Sequence, residues 1–244
     1  MKIAIIGAGK IGSTLARKLS EAGHAVRLAN SRDPETIKDL AESYGATAMR
    51  PEDAVDGAEV VITSIPFQAI PSLAIVFEKV AEDVVVIDTS NYFPFRDDDI
   101  DNLVDYETES DWVAAQLGHS VIKAWNSILA GSLDTEGTPV GDPSRIALPV
   151  AGDQDRPKQI ALQLVEETGF DAVDAGPLRE SWRQQPGTPA YCTDLDANAL
   201  RQSLARADRT VAPQRRDELA TTVMKSRESF TNADILALGR AIYR

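Results

Sequence analysis

Cysteine occurs once in these 244 residues, at Cys192, so no disulfide within the chain can staple it. A reducing compartment is compatible with that. Histidine occurs only twice, at His24 and His119. No Ser-His-Asp arrangement and no metal-ligand cluster can be assembled around them. Long apolar runs are missing as well: nothing approaches the ~20 residues of a membrane-spanning helix. The apolar opening "MKIAIIGAG" runs directly into a glycine turn and is too short for a secretory leader. Basic charge is in deficit, with 25 Lys and Arg against 38 Asp and Glu. The resulting net charge of -13 argues against a nucleic-acid partner, because phosphate backbones need a basic surface. A small anion held in one local basic pocket remains compatible with it. Hydrophobic content of 43% and charged content of 26% are those of an ordinary globular chain. The expectation is a soluble, cytoplasmic protein without a membrane partner.

What the chain does have is alternation. Lys2 to Ile6 is a short β-branched run suited to a strand buried on both faces of a parallel sheet. "GAGKIG" follows, then a helical stretch with Leu15, Leu19 and Ala22 on one face, then "AVRLA" at 25–29. This is a βαβ unit of the expected length. Asp33 and Pro34 read as the cap and first residue of a helix closing on Gly45. Further strand-then-loop segments follow at 58–66, 83–91 and 119–127, and two more strands at 145–153 and 171–176 flank a helix. Strands alternating with helices predict an α/β fold: a doubly wound parallel sheet over residues 1–176. From 177 to 244 the chain turns polar, helical in period and punctuated by proline. Such a short, mainly helical extension has too few apolar residues for its own core. It is expected to pack on the first domain and on a second subunit in a homodimer.

Gly7-Ala8-Gly9-Lys10-Ile11-Gly12 places a G-x-G-x-x-G after a strand and at the opening of a helix. Gly7 permits the tight turn, Gly9 lets backbone approach a pyrophosphate, and Gly12 allows close packing of helix and strand. The helix N-terminus adds unpaired N–H groups and a positive dipole end. A bare glycine motif is weak, but this flanking structure favours dinucleotide binding over a purely steric turn. The second strand then ends in "NSR" where an NAD site carries a carboxylate ~20 residues after the glycines. Asn30 brings no charge, Ser31 offers a hydroxyl, and Arg32 offers charge-assisted bonds to phosphate oxygens. A solvated loop arginine is the bland alternative. Position beside the expected ribose favours NADP(H) over NAD(H).

Ligands of such sheets lie beyond the carboxyl ends of the strands. That singles out "SIPFQ" (64–68), "DTSNY" (88–92) and "AWNSI" (124–128). There Ser64, Gln68, Asn91 and Asn126 could hydrogen-bond a ribose or nicotinamide, while Ile65, Pro66 and Ala124 could form an apolar wall. His24 and His119 lie outside these segments and read as structural. The aspartates of 95–102 lack the glycine and the closing glutamate of a calcium loop, so no metal site is expected. The segment 181–191, with Trp182, Arg183 and Tyr191 around a Pro-Gly turn, either covers a pocket or anchors the extension.

With the glycine motif, "NSR", "DTSN" and "KAWNSI" together, the chain resembles the NADPH-dependent reductases of the deazaflavin coenzyme F420 over most of residues 1–175. The resemblance implies that Ser31 and Arg32 contact a 2′-phosphate and that 64–68 and 124–127 border the nicotinamide. It implies hydride transfer between NADPH and a small-molecule acceptor, coenzyme F420 or a flavin. The residues leave two other classes open: an NADPH-dependent reductase of a small imine, ketone or hydroxyacid, and a non-catalytic NADPH-sensing protein. No side chain is assigned a catalytic role.

Overall fold

The computed structural model describes residues 1–226 and 230–243. Strand β1 (Lys2–Ile6) leads into helix α1 (Lys10–Glu21), and β2 (Ala25–Ala29) completes the first unit. A 3-10 turn (Pro34–Ile37), capped by the Asp33 carboxylate, runs on into α2 (Lys38–Ser43) and β3 (Thr47–Met49). Next come α3 (Pro51–Ala54), β4 (Val60–Thr63), α4 (Ala74–Phe77) and β5 (Val85–Asp88). Helices α5 (Pro94–Asp97) and α6 (Glu109–Leu117) precede β6 (Val121–Lys123), and α7 (Ala130–Thr135) follows it. The last crossover is β7 (Ala147–Val150), α8 (Asp155–Glu167) and β8 (Asp171–Asp174). Beyond a 3-10 segment (Leu178–Gln184) lie α9 (Ala197–Ala205), α10 (Ala212–Lys225) and α11 (Asn232–Ile242).

Six strands form one parallel sheet in the order β3-β2-β1-β4-β5-β6, so the strand order reverses between β1 and β4. This is the expected doubly wound Rossmann sheet. Alternate residues of β1 serve two cores. Ile3 and Ile5 join Leu15, Leu28, Ile62 and Ile87 on one face, while Ala4 and Ile6 join Val61, Phe67, Phe77 and Trp112 on the other. Burial on both faces is why these strands read as unbroken apolar runs.

Two features depart from the sequence reading. Strand β3 was not expected; one exposed and two partly buried residues carry no periodic signal, and only its pairing with β2 defines it. Strands β7 and β8 do not extend the main sheet. They pair in parallel with each other and reach β6 through a single antiparallel bridge, Lys123 to Ala151. Pro149 inside β7 lacks a donor, which suits a short peripheral strand. The extension covers this pair: Leu200 and Leu204 of α9 pack with Ala147 and Val173. Farther out, Tyr243 packs against Tyr191 and Cys192.

Candidate functional site

The glycine turn is built by three glycines with two different jobs. Gly7 has φ +121°, and a Cβ there would lie 2.1 Å from the Ser64 carbonyl oxygen. A Cβ on Gly12 would lie 1.9 Å from the Gly7 carbonyl oxygen. These two let the turn fold against itself and against the end of β4. Gly9 meets nothing within 4 Å, so its missing side chain leaves open space in front of the turn. Gly9 also begins α1 without any side-chain cap, and no acid stands in the first turn. The first N–H groups of α1 therefore face outward with the positive end of the helix dipole, as an approaching pyrophosphate requires. Ala8 and Ile11 pack against the core, whereas Lys10 is exposed. Ser64 and Ile65 border this turn: a Cβ on Gly7 would run into the Ser64 carbonyl and come within 3.1 Å of Ile65 Cγ2.

At the end of β2 the Asn30 amide shapes the loop. Its Oδ1 accepts the Arg32 N–H at 3.0 Å and its Nδ2 donates to Thr36 Oγ1 at 3.2 Å. This side-chain-mimicked turn holds Ser31 and Arg32 outward, both exposed. Parallel pairing sets Ala29 beside Met49, so Asn30 and Arg50 leave the sheet as neighbours. Arg50 is exposed and, among the described residues, makes no ion pair. A second cation thus stands beside the Ser31–Arg32 tip. The sequence reading missed Arg50 because it missed β3.

Farther along the sheet edge, the post-strand segments come together but hold one another. Asn126 Nδ2 donates to Asn91 Oδ1 at 2.9 Å and to the Gln184 carbonyl at 2.8 Å, and its Oδ1 accepts from Gln184 Nε2 at 2.9 Å. Asn91 Nδ2 in turn donates to the Asn126 carbonyl. Asn126 is 3% exposed and Ala124 is fully buried. Both side chains lie buried beneath the loop and brace it. Pro66 and Gln68 are exposed, and Gln68 donates to the Arg96 carbonyl at 3.3 Å. Under these loops lies an ion pair that the sequence reading also missed. Lys123 Nζ sits 2.6 Å from Asp88 Oδ2 with both side chains fully buried, and it also donates to the Ser90 carbonyl. Asp88 and Lys123 are register partners on β5 and β6. A lysine inside an apolar strand was the available signal, but only pairing reveals its counter-charge.

This geometry can be set beside known proteins. A family described as NADP oxidoreductase, coenzyme F420-dependent, matches residues 2–92. The protein YjhV of Escherichia coli K12 is 37% identical over 110 residues, which is 45% of this chain and 80% of YjhV. The chain belongs to the coenzyme F420-dependent NADP oxidoreductase family. A crystal structure of the hypothetical protein SMa0349 from Sinorhizobium meliloti superposes with a TM-score of 0.68 at 29% identity, covering 80% of this chain and 95% of that one. A candidate F420-dependent NADP reductase from Arthrobacter sp. FB24 shares the fold, with a TM-score of 0.61 at 23% identity over 75% of this chain and 87% of that one.

The family's match ends at Tyr92, and the chain's remaining chemistry lies past that point. The segment 181–191 both anchors and covers: Gln184 is fully buried against Asn126, while Trp182, Gln185 and Pro186 line a cavity with α10. Burial, reinforced by Cys192 and Tyr243, pushes the Tyr191 phenol well above its usual range, so it keeps its proton near neutrality. Glu109 is the contrasting group. Burial pushes its carboxyl up to about 7, against the pull of Lys123, of the Tyr92 N–H and of Arg216. His24 ties the chain start to Glu167 at 2.6 Å, and His119 sets its ring 5.6 Å from Phe77. Both flank the opposite edge of the sheet from the glycine turn and are structural. Among the described residues no cluster of His, Cys, Asp or Glu could hold a metal ion, and no helix is long and apolar enough to cross a membrane.

Proposed function

We propose that this protein is an NADP(H)-dependent oxidoreductase that moves a hydride between NADPH and a flat deazaflavin acceptor such as coenzyme F420, or a flavin. The observation that carries the cofactor half is the exposed Ser31–Arg32 tip, held in place by Asn30 where a carboxylate would repel a 2′-phosphate. Family membership supports the acceptor half. When bound, NADPH supplies the hydride; the chain's part is to bind, orient and exclude water. The glycine turn and the N–H groups of α1 hold the pyrophosphate. Ser31 and Arg32, with Arg50 beside them, hold the 2′-phosphate. The Asn91–Asn126–Gln184 brace and the buried Asp88–Lys123 pair keep three post-strand loops rigid behind the nicotinamide. Ring-to-ring hydride transfer asks for a near-attack distance of about 3–3.5 Å and a dry interface, with little acid–base assistance. The protein is further proposed to work as a homodimer in the cytoplasm.

Rapid mixing of NADPH-loaded protein with coenzyme F420 tests this directly. Bleaching of the deazaflavin absorbance is expected. Turnover of a small imine or ketone without bleaching would replace the acceptor. Tight NADPH binding with no turnover of any acceptor would point to a sensor.

A further inference from the structure

A cavity of about 290 Å³ lies between the chain entering α6, the turn at Trp182–Pro186 and the start of α10. It shares no lining residue with the glycine turn, the Asn30–Arg32 loop or the segments 64–68 and 124–128. Its size falls just below the ~300–1,000 Å³ typical of small-molecule sites, which suits a ligand of about one ring. Two guanidinium groups line it from the extension. Arg209 stands 5.8 Å from the Trp182 ring centre and, among the described residues, forms no ion pair. Arg216 lies 5.7 Å from the Tyr92 ring centre and, among the described residues, ion-pairs with its exposed neighbour Asp217 through Nε at 2.8 Å. Facing them from the first turn of α6 is Glu109. One of its oxygens accepts the Tyr92 N–H at 3.1 Å, and the other makes no hydrogen bond among the described residues.

We propose that this cavity binds a small organic monocarboxylate with a flat apolar body, its carboxylate set between Arg209, Arg216 and the side chain of Glu109. Guanidinium groups favour a planar carboxylate through charge-assisted, forked hydrogen bonds. The carboxylate of Glu107 in the same wall repels a doubly charged phosphate more strongly than a singly charged carboxylate. The apolar remainder, Leu103, Pro186 and Pro213 beside the Trp182 indole, suits an aromatic ring rather than a sugar. A structural staple between Glu109 and Tyr92 would account for one carboxylate oxygen. It does not account for Arg209, which lines the same cavity and forms no ion pair among the described residues.

The groups acting on Glu109 are Lys123 and Asp88 from the sheet, Arg216 from α10 and the Tyr92 N–H, with burial the largest influence. Because burial keeps the proton on Glu109 up to about pH 7, that carboxyl can donate to a bound carboxylate below this value and repels it above. Binding therefore takes up or retains one proton, and affinity falls as Glu109 ionises.

Calorimetric titration of the full chain with benzoate tests the site, with benzyl alcohol as the uncharged probe of similar shape. Saturable benzoate binding is expected, roughly tenfold weaker at about pH 8 than at about pH 6, with no comparable binding of benzyl alcohol. Glu109→Gln keeps an acceptor for the Tyr92 N–H and adds a permanent donor, so benzoate binding should become independent of pH. Arg209→Ala should weaken benzoate roughly ten- to a hundredfold. Circular dichroism and melting temperature identify variants that keep their fold, and Arg209→Ala, at an exposed position, is the one least exposed to folding failure. No saturable binding, equal binding of the two probes, or benzoate affinity unchanged in folded Arg209→Ala overturns the proposal. None of these readouts depends on NADPH, so failure here leaves the proposed cofactor reading standing.

Discussion

At the scale of single residues, three side chains after β2 are proposed to set cofactor choice in different ways. Arg32→Ala should weaken NADPH binding by about 1.5–3 kcal/mol, roughly ten- to a hundredfold, and leave NADH nearly unchanged. Ser31→Ala should cost about 0.5–1.5 kcal/mol, since a hydroxyl contributes no formal charge. Asn30→Asp keeps an oxygen for the Arg32 N–H, so the loop survives while the new carboxylate repels the phosphate. Titration of all three with both dinucleotides checks these outcomes, and equal loss of NADH and NADPH in Arg32→Ala would remove the basis for NADP selectivity. Glu109 makes a second prediction at this scale. Its carboxyl titrates at about 7 in the folded chain against an ordinary 4.5. Below about pH 4.5 both folded and unfolded chains carry the proton and no penalty arises. As pH rises toward 7 only the unfolded chain releases it, so stability falls through this window and levels off above it. Relative to Glu109→Gln, the wild type should lose on the order of 2–3 kcal/mol between these limits, read by urea denaturation at a series of pH values.

At the scale of elements, the turn between β1 and α1 separates folding from binding. Gly9 has φ -76° and ψ -177°, a backbone any residue adopts, and open space where a Cβ would go. Gly9→Ala should therefore keep its melting temperature while weakening NADPH and NADH alike, because the methyl occupies the space before the pyrophosphate. Gly12→Ala should instead destabilise the fold by about 1–3 kcal/mol or more, since its methyl meets the Gly7 carbonyl. Thermal melts with paired titrations separate the two. The β5–β6 pairing behaves differently again. Lys123→Met leaves the Asp88 carboxylate buried without its counter-charge and should cost about 3–5 kcal/mol. Adding Asp88→Asn to that variant should recover part of the loss in denaturant titration, because the buried charge is gone.

For the whole molecule, the extension poses the main question. Its first part is integrated: Gln184 braces Asn126, and α9 closes over β7 and β8. Its outer helices are not. Among the described residues only Ala212 of α10 and Gly239 of α11 are buried, and Met224 is 64% exposed. Helices that bury so little against their own chain are expected to meet a second copy. Light scattering at micromolar concentration should report a dimer; a monomer unchanged by NADPH would exclude it.

Fold class, most of the strands, the glycine turn and the Ser31–Arg32 tip with uncharged Asn30 before it were legible in the chain itself, because each depends on local pattern. Apolar runs bounded by turns mark strands, and a turn's steric demands are met by glycines at fixed spacing. Long-range pairing decided the rest. Strand β3, and with it Arg50 beside Asn30, exists through its register with β2. Asp88 and Lys123 lie 35 positions apart and neutralise each other only when β5 and β6 align. Asn91 and Asn126, polar residues at a ligand-facing edge, turned inward because Gln184 arrives from the extension to complete their hydrogen bonds. The cavity between Glu109, Trp182 and Arg209 is likewise drawn from three distant segments. Local periodicity carries no information about which buried polar group will find which partner, and that pairing is what tertiary structure alone decides.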